Sequence, residues 1–497
     1  MLERRRFMEF AALAGMLAPA ATAQGRTRKA VMAFKAATAD ASAMAVAVKR
    51  GQVSASALVE AALKRLDMVN GRLNAVSQPY PQQARAQAAS TTARSAGALA
   101  GIPTLIKDNV EQKDAAYTFG SRLLAGQIGE NDSGTVAAIK AAGLISLGRS
   151  NLPEFALLPT TEPLLFGPTR SPWSPGHSAG GSSGGSAACV AAGVVPVAHA
   201  NDGGGSIRIP ASVNGLVGLK PSRARMAGEE AAKGATALSV NGCVSRSVRD
   251  TAAWLAAMES RTGPLKPVGL VTGPVKRAFR IGLRPDSTPG APDPDVLAVF
   301  QSTAKQLQRM GHRLVDAPLP FDGSAVAAAF ELIWGNGMAR RLEALTKRFG
   351  RELGPEDLEP STFGFAHLAR NASPATLQAA VATLEAMAVA SNGQFDAFDI
   401  LLTPVLGTPP PPIGYLAPTV NFETLRERLR RYVAYTPVEN ASGACAISLP
   451  MGMSTGGLPI GMQFVAPPGG ERRLLELAYA LEADRDWGRL RPAIWAA

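Results

Sequence analysis

Cysteine, histidine and aromatic residues are all scarce in this chain of 497 residues. Its three cysteines, Cys189, Cys243 and Cys445, lie far apart, form no Cys-x-x-Cys pair and have no histidine at ligand spacing. That excludes a small disulfide-stapled scaffold and argues against a bound metal. Cys189, in the run Ser186-Ala187-Ala188-Cys189-Val190-Ala191, reads as a small core residue. Only four histidines occur, His177, His199, His312 and His367, and none stands in a recognisable partner motif for a nucleophile. Aromatic residues make up 6% against 46% hydrophobic residues, so a large core must be built mainly from Ala, Val and Leu. Disorder and collagen are excluded by the same figures.

Acidic residues are the minority charge, 39 against 51 Lys plus Arg, for a net charge of +12. A positive excess invites a nucleic-acid partner. The basic residues are scattered, however, and the densest later run, Arg426-Glu427-Arg428-Leu429-Arg430-Arg431, is interrupted in the manner of a solvated helix face. With no basic patch and no reading motif, nucleic acid is not expected as a partner. Long apolar runs are also missing: beyond the first residues, none reaches the roughly 20 positions of a membrane span without a proline or a charge.

The first residues differ from the rest. Arg4-Arg5-Arg6-Phe7-Met8, an apolar stretch from Phe10 to Ala20, and Ala21-Thr22-Ala23 form a charged region, a short apolar region and a small-x-small cleavage site. The pattern resembles a twin-arginine export signal over 1–23, which implies a periplasmic or secreted protein; an uncleaved anchor or an amphipathic terminus is the alternative. Residues 24–497 are expected to form one domain with a helical N-terminal layer over about 36–95. Beyond it, Gly101 to Asn109 reads as a buried strand entering a polar turn, Ser133 to Ala142 as a helix, and Gly143 to Gly148 as the next strand. The alternation recurs in Arg280 to Leu283, Pro294 to Arg309 and His312 to Val315, which predicts an α/β fold with a mainly parallel or mixed sheet under helices. The Pro-rich stretch Thr408 to Pro412 reads as a surface excursion within that fold.

Small residues concentrate between Gly180 and Ser206. Gly180-Gly181-Ser182-Ser183-Gly184-Gly185-Ser186 and Asp202-Gly203-Gly204-Gly205-Ser206-Ile207-Arg208 flank an apolar helix and strand, unlike a polar linker. A phosphate cradle lacks the Lys-Ser/Thr ending of a P-loop. What remains is a turn whose N–H groups, on Gly203, Gly204, Gly205 and Ser206, face an oxyanion, with Ser206 as nucleophile. Its base is either a histidine or a lysine made neutral by burial, and Lys107, ending an apolar strand, is the candidate lysine.

These residues carry a resemblance. The pattern Gly180 to Ala188, Asp202 to Ala211 and Gly215-Leu216-Val217-Gly218-Leu219-Lys220-Pro221 resembles the amidase signature family of serine hydrolases. The likeness extends to Gly101-Ile102-Pro103, Gly148 to Phe155 and Gly457 to Gln463, and is weakest from about Ser324 to Phe398. It implies a large mixed central β-sheet covered by helices on both faces, no cofactor, a small-molecule amide as substrate, and a Ser-cisSer-Lys triad of Ser206, Ser182 and Lys107. It also implies that Ser183 steadies Lys107 and that Asp202 and Arg208 brace the glycine turn, with a substrate carboxylate as the other use of Arg208. A homodimer is compatible with it. Ala179, Ala200-Asn201 and Ala444-Cys445 depart from the commonest family pattern and bear on substrate preference. Two other readings stay open: the glutamine-hydrolysing subunit of a tRNA-dependent amidotransferase, and a non-catalytic binding protein on the same fold. Substrate choice is expected to lie in Tyr117 to Leu124, Leu157 to Phe166, Phe330 to Arg341 and Pro404 to Tyr435, with an apolar or aryl pocket.

Overall fold

The computed structural model describes residues 39–496, so the export signal expected over 1–23 lies outside the described residues. Eight strands make the main sheet: β4 (Val197–Asp202), β5 (Val217–Lys220), β6 (Val240–Ser245), β7 (Arg280–Leu283), β8 (Arg313–Asp316), β9 (Ile400–Pro404), β10 (Cys445–Met453) and β11 (Pro459–Ala466). Their order is β4-β6-β5-β10-β11-β9-β7-β8. From β4 to β9 every pairing is antiparallel, and only β9-β7-β8 is parallel.

The sheet is therefore mixed, but not mainly parallel. The alternation of strand and helix does give parallel neighbours where it occurs, in β7, the helix Pro294–Arg309 and β8. Elsewhere β10 and β11 fold back through the turn at Ser454 to Leu458, where Ser454 N–H donates to Leu458 O and Gly457 adopts φ +74°. Strands buried on both faces read as continuous apolar runs whichever way they run, so the pattern alone does not give direction.

A second sheet of three strands lies beside the first. It joins β1 (Val76–Pro79), β3 (Ile145–Ser150) and β2 (Pro103–Lys107), with β1 antiparallel and β2 parallel to β3. The N-terminal layer holds helices Ala41–Lys49, Ala55–Leu73 and Pro81–Ser90 but also contributes β1. Asp40 and Ser54 cap the first two helices by accepting from Ala43 and Ala57 N–H. Thr104 of β2 donates to Val197 O of β4 at 3.0 Å and joins the two sheets.

The helix Gly184–Ala191 is buried along its whole length between these layers. Its small residues follow from that position: a Cβ on Gly185 would meet Ala75 O and both backbone polar atoms of Asn151. The Pro-rich segment is a packed strap, because Pro411 O accepts from Ser178 N–H and Ile413 N–H donates to Gly176 O, each at 3.0 Å. Among the described residues no helix is long and apolar enough to cross a membrane. All three cysteines are buried and free.

Arg225 pairs with Glu471, the first residue of the helix Glu471–Arg485. Two parallel bonds of 3.0 and 3.1 Å join them, and Glu471 also accepts from Ser222 N–H at 2.9 Å. Both side chains are buried. Removing one partner of such a pair leaves an uncompensated charge in the core. Arg225→Met is therefore expected to cost about 3–5 kcal/mol of stability, seen as a lowered midpoint in thermal or urea unfolding.

Candidate active site

Three neighbouring elements of the chain converge at one end of β4. β2 delivers Lys107 at its last position, the turn before helix Gly184–Ala191 delivers Ser182, and β4 runs directly into the glycine turn that ends at Ser206. The Gly181–Ser182 peptide is cis. Lys107 is fully buried, and its Nζ lies 2.6 Å from Ser182 Oγ and 2.7 Å from Asn201 Oδ1. Burial holds the Lys107 amine down to about 7, against the opposing pull of Asp202. An amine titrating there is available as a base at neutral pH.

Ser206 is half-buried, in the turn immediately before the helix Arg208–Asn214. No hydrogen bond ties its hydroxyl to Ser182 among the described residues. It opens instead into a cavity of about 540 Å³. The N–H groups of Gly203, Gly204 and Ser206 also have no protein partner among the described residues. Gly205 differs from the oxyanion role expected of it, because its N–H donates to Asp202 Oδ1 at 2.7 Å.

Asp202 and Arg208 organise this turn. The Asp202 carboxylate accepts from the N–H groups of Gly205, Ile207 and Arg208 and from Arg208 Nε and Nη2, both at 2.9 Å. Burial opposes its charge, yet Arg208 outweighs burial and holds the carboxyl well below the usual carboxylate range. Arg208 spends its remaining donors on Glu439, Gln463 and Asn440, at 3.1, 2.6 and 2.7 Å. All five N–H groups are then committed, so none is left for a substrate carboxylate. Thr436 Oγ1 donates to Gly204 O at 2.7 Å and ties the turn to the start of helix Pro437–Ser442.

Ser183 makes no hydrogen bond to Lys107: its hydroxyl donates to Asn201 O at 3.4 Å. The side chain that holds Lys107 is Asn201, one of the departures from the commonest family pattern noted in the sequence. That departure was the available signal, though it pointed to substrate preference rather than to the lysine. His199, buried on β4, accepts from Lys107 backbone N–H at Nδ1 and meets Asn241 Oδ1 through Nε2 at 2.9 Å. Burial pushes it down to about 4, so it stays neutral and serves as a strut beneath Lys107. Lys220 is a second buried lysine, held near 8 by burial and Arg208, but its Nζ donates to Pro221 O and meets no serine. Its position on β5 shows that a lowered amine alone does not mark a base.

The cavity above Ser206 and Gly204 is mostly apolar. Phe330 and Trp334 of helix Gly323–Phe349 stack with ring centroids 5.7 Å apart, and they lie against Gly204 and Gly203. Leu157, Leu158, Pro159 and Val433 add further apolar wall, as expected for three of the four variable stretches. The fourth, Tyr117 to Leu124, does not line the cavity, whereas Arg284 to Pro289 and Leu319 to Ala328 do. At the rim Glu331 is shared between Arg426 and Arg430 at 2.7–2.8 Å, and Arg426 also meets Glu423 at 2.8 Å, so that two carboxylates balance two guanidiniums.

A large mixed sheet here carries a serine turn that opens into an apolar cavity, in a chain whose relatives are enzymes acting on amides. The chain belongs to the Amidase family, whose model matches residues 57–475. It is 41% identical over 455 residues to AmiC of Mycobacterium tuberculosis, covering 91% of this chain and 95% of that one. Its fold superposes on 6-aminohexanoate cyclic dimer hydrolase complexed with substrate at a TM-score of 0.83 and 33% identity, over 92% of this chain and 99% of the other. A bacterial aryl acylamidase of the amidase signature family follows at a TM-score of 0.80 and 26% identity, over 91% and 97% of the two chains.

Gly205 gives a test of the turn. It sits at φ +132°, and a Cβ there would run into Thr436 Oγ1 and Ile209. Gly205→Ala is expected to lower kcat for amide hydrolysis by about 100-fold or more, with the circular dichroism spectrum unchanged.

Proposed function

We propose that this amidase hydrolyses a carboxylic amide to acid and amine, or ammonia, through an acyl-Ser206 intermediate, with Ser182 and Lys107 as the proton relay. The observation that carries this reading is the buried contact of 2.6 Å between Lys107 Nζ and Ser182 Oγ, beside a serine turn that opens into the cavity. Ser206 Oγ attacks the carbonyl carbon as its proton passes to Ser182 Oγ, and the proton of Ser182 passes to neutral Lys107. The N–H groups of Gly203, Gly204 and Ser206 are the donors placed to meet the developing oxyanion. The lysine then returns its proton through Ser182 to the leaving nitrogen, which departs as an amine rather than an anion. Water repeats the sequence on the acyl-serine. Asp202 and Arg208 hold the turn and take no part in proton transfer.

The apolar walls and the self-compensated rim charges favour a neutral amide with a bulky apolar or aryl group. A small primary amide would leave most of the 540 Å³ unfilled.

Ser206→Ala and Lys107→Ala are each expected to abolish hydrolysis of an aryl anilide while both proteins melt as the wild type does. A fluorophosphonate probe is expected to label the wild type and not Ser206→Ala. Undiminished turnover by Ser206→Ala would sink the acyl-serine route.

The pH profile gives a separate check. Lys107 works only when neutral and its amine titrates near 7, so kcat/KM is expected to rise through about pH 7 to an alkaline plateau. A flat profile between pH 5 and about 9 contradicts a lysine base.

A further inference from the structure

We propose that Asn201, held in orientation by Asn109, is the positioning residue that turns the lone pair of Lys107 toward Ser182. The proposal rests on the reading of Lys107 as the base. Its ground is a small closed network on the strand ends. Lys107 Nζ has two side-chain partners, Ser182 Oγ at 2.6 Å and Asn201 Oδ1 at 2.7 Å. Asn201 in turn forms a reciprocal amide pair with Asn109: its Nδ2 donates to Asn109 Oδ1 at 2.9 Å, and Asn109 Nδ2 donates to Asn201 Oδ1 at 3.3 Å. Asn201 is 8% exposed, whereas Asn109 is half-buried.

The proton inventory then follows from the functional groups. A neutral lysine amine has two N–H bonds and one lone pair, and a carboxamide oxygen can only accept. Asn201 Oδ1 therefore takes an N–H of the amine and leaves the lone pair free for Ser182. When Ser206 attacks, an Nζ–H bond forms as the Ser182 O–H bond breaks, and Ser182 recovers a proton from Ser206. The resulting ammonium keeps its bond to Asn201. Turned the other way, the amide would set its own N–H groups against an ammonium that has no lone pair to receive them.

An amide oxygen also does this work without a net charge. A carboxylate at the same place would favour the ammonium and take the base out of use at neutral pH. The other groups near the lysine are already committed: Asp202 to Arg208, Asp108 to Thr118 at 2.6 Å and to its N–H at 3.0 Å, and neutral His199 to the Lys107 backbone and Asn241. Arg149 lies 3.9 Å from Asp108 and faces that carboxylate. Asn201 is thus the uncharged contact on which the orientation of the amine turns.

The test uses the full-length enzyme and four variants, each checked by thermal melting, with kcat and kcat/KM measured from pH 5 to 10. Asn201→Asp is expected to move the acidic limb of kcat/KM upward by about one to two pH units and to recover activity at high pH. Asn201→Ala is expected to lower plateau kcat by about 10- to 100-fold and to move the limb downward, since the buried ammonium loses an acceptor. Asn109→Ala, at a half-buried position, is expected to shift both quantities in the same direction as Asn201→Ala but by less. A limb unmoved in folded Asn201→Asp overturns the inference. Should that variant not fold, an Asn109→Ala enzyme with wild-type kcat and limb overturns it instead. Lys107→Ala separates the two readings: retained turnover there removes the base itself, whereas an inactive Lys107→Ala beside an unmoved limb removes only the role of Asn201.

Discussion

The ion pair between Asp202 and Arg208 is the constraint around which the site is assembled. It lies wholly out of water, where an unpaired charge of either sign would be costly, and it is satisfied by groups drawn from distant parts of the chain. Asp202 ends β4, Arg208 opens the next helix, Glu439 and Asn440 come from a helix more than two hundred positions later, and Gln463 comes from β11. A turn of three glycines has almost no conformational preference of its own. The carboxylate of Asp202 supplies one by accepting three consecutive-region N–H groups, so the backbone shape at Ser206 is an electrostatic product rather than a steric one.

The same region solves a second problem by the opposite means. A lysine that is to act as a base needs to be uncharged at neutral pH, and the side chains that meet Lys107 are Ser182, Asn201 and a neutral histidine rather than a free carboxylate. Asp202 is close enough to pull its amine upward, but that carboxylate is already engaged by a guanidinium. Two buried lysines illustrate the distinction between electrostatics and placement. Lys220 and Lys107 are both lowered by burial, yet only Lys107 meets a serine hydroxyl.

Much of this was legible in the sequence. The helix Pro294–Arg309 and strand Arg280–Leu283 were read from the alternation of strand and helix and stand with those bounds, and the glycine-rich segments marked the turn itself, because few other functions need so many small residues beside an apolar helix. Strand direction was not legible, since β10 and β11 are buried along nearly their whole length and show no alternation of polar and apolar faces. The donor assignments were also hidden. Whether Gly205 points its N–H at a substrate or at Asp202 depends on the fold of the turn, and whether Ser183 or Asn201 reaches Lys107 depends on which strand-end side chain faces β2. The strand β1 escaped notice because four residues between two helices give too short a pattern to separate from a loop.

The floor and the walls of the cavity have different origins in the chain. Ser206 and Gly204 belong to the sheet-borne turn, while Phe330 and Trp334 stand on a helix of 27 residues that reaches the turn by ring contact alone, without a side-chain hydrogen bond to it. Dispersion contacts tolerate replacement by other shapes far better than a five-donor guanidinium network tolerates any change. The wall can therefore diverge among related chains while the floor stays fixed, so that one reaction serves many differently shaped substrates and kinship in the sheet carries little information about what each member consumes.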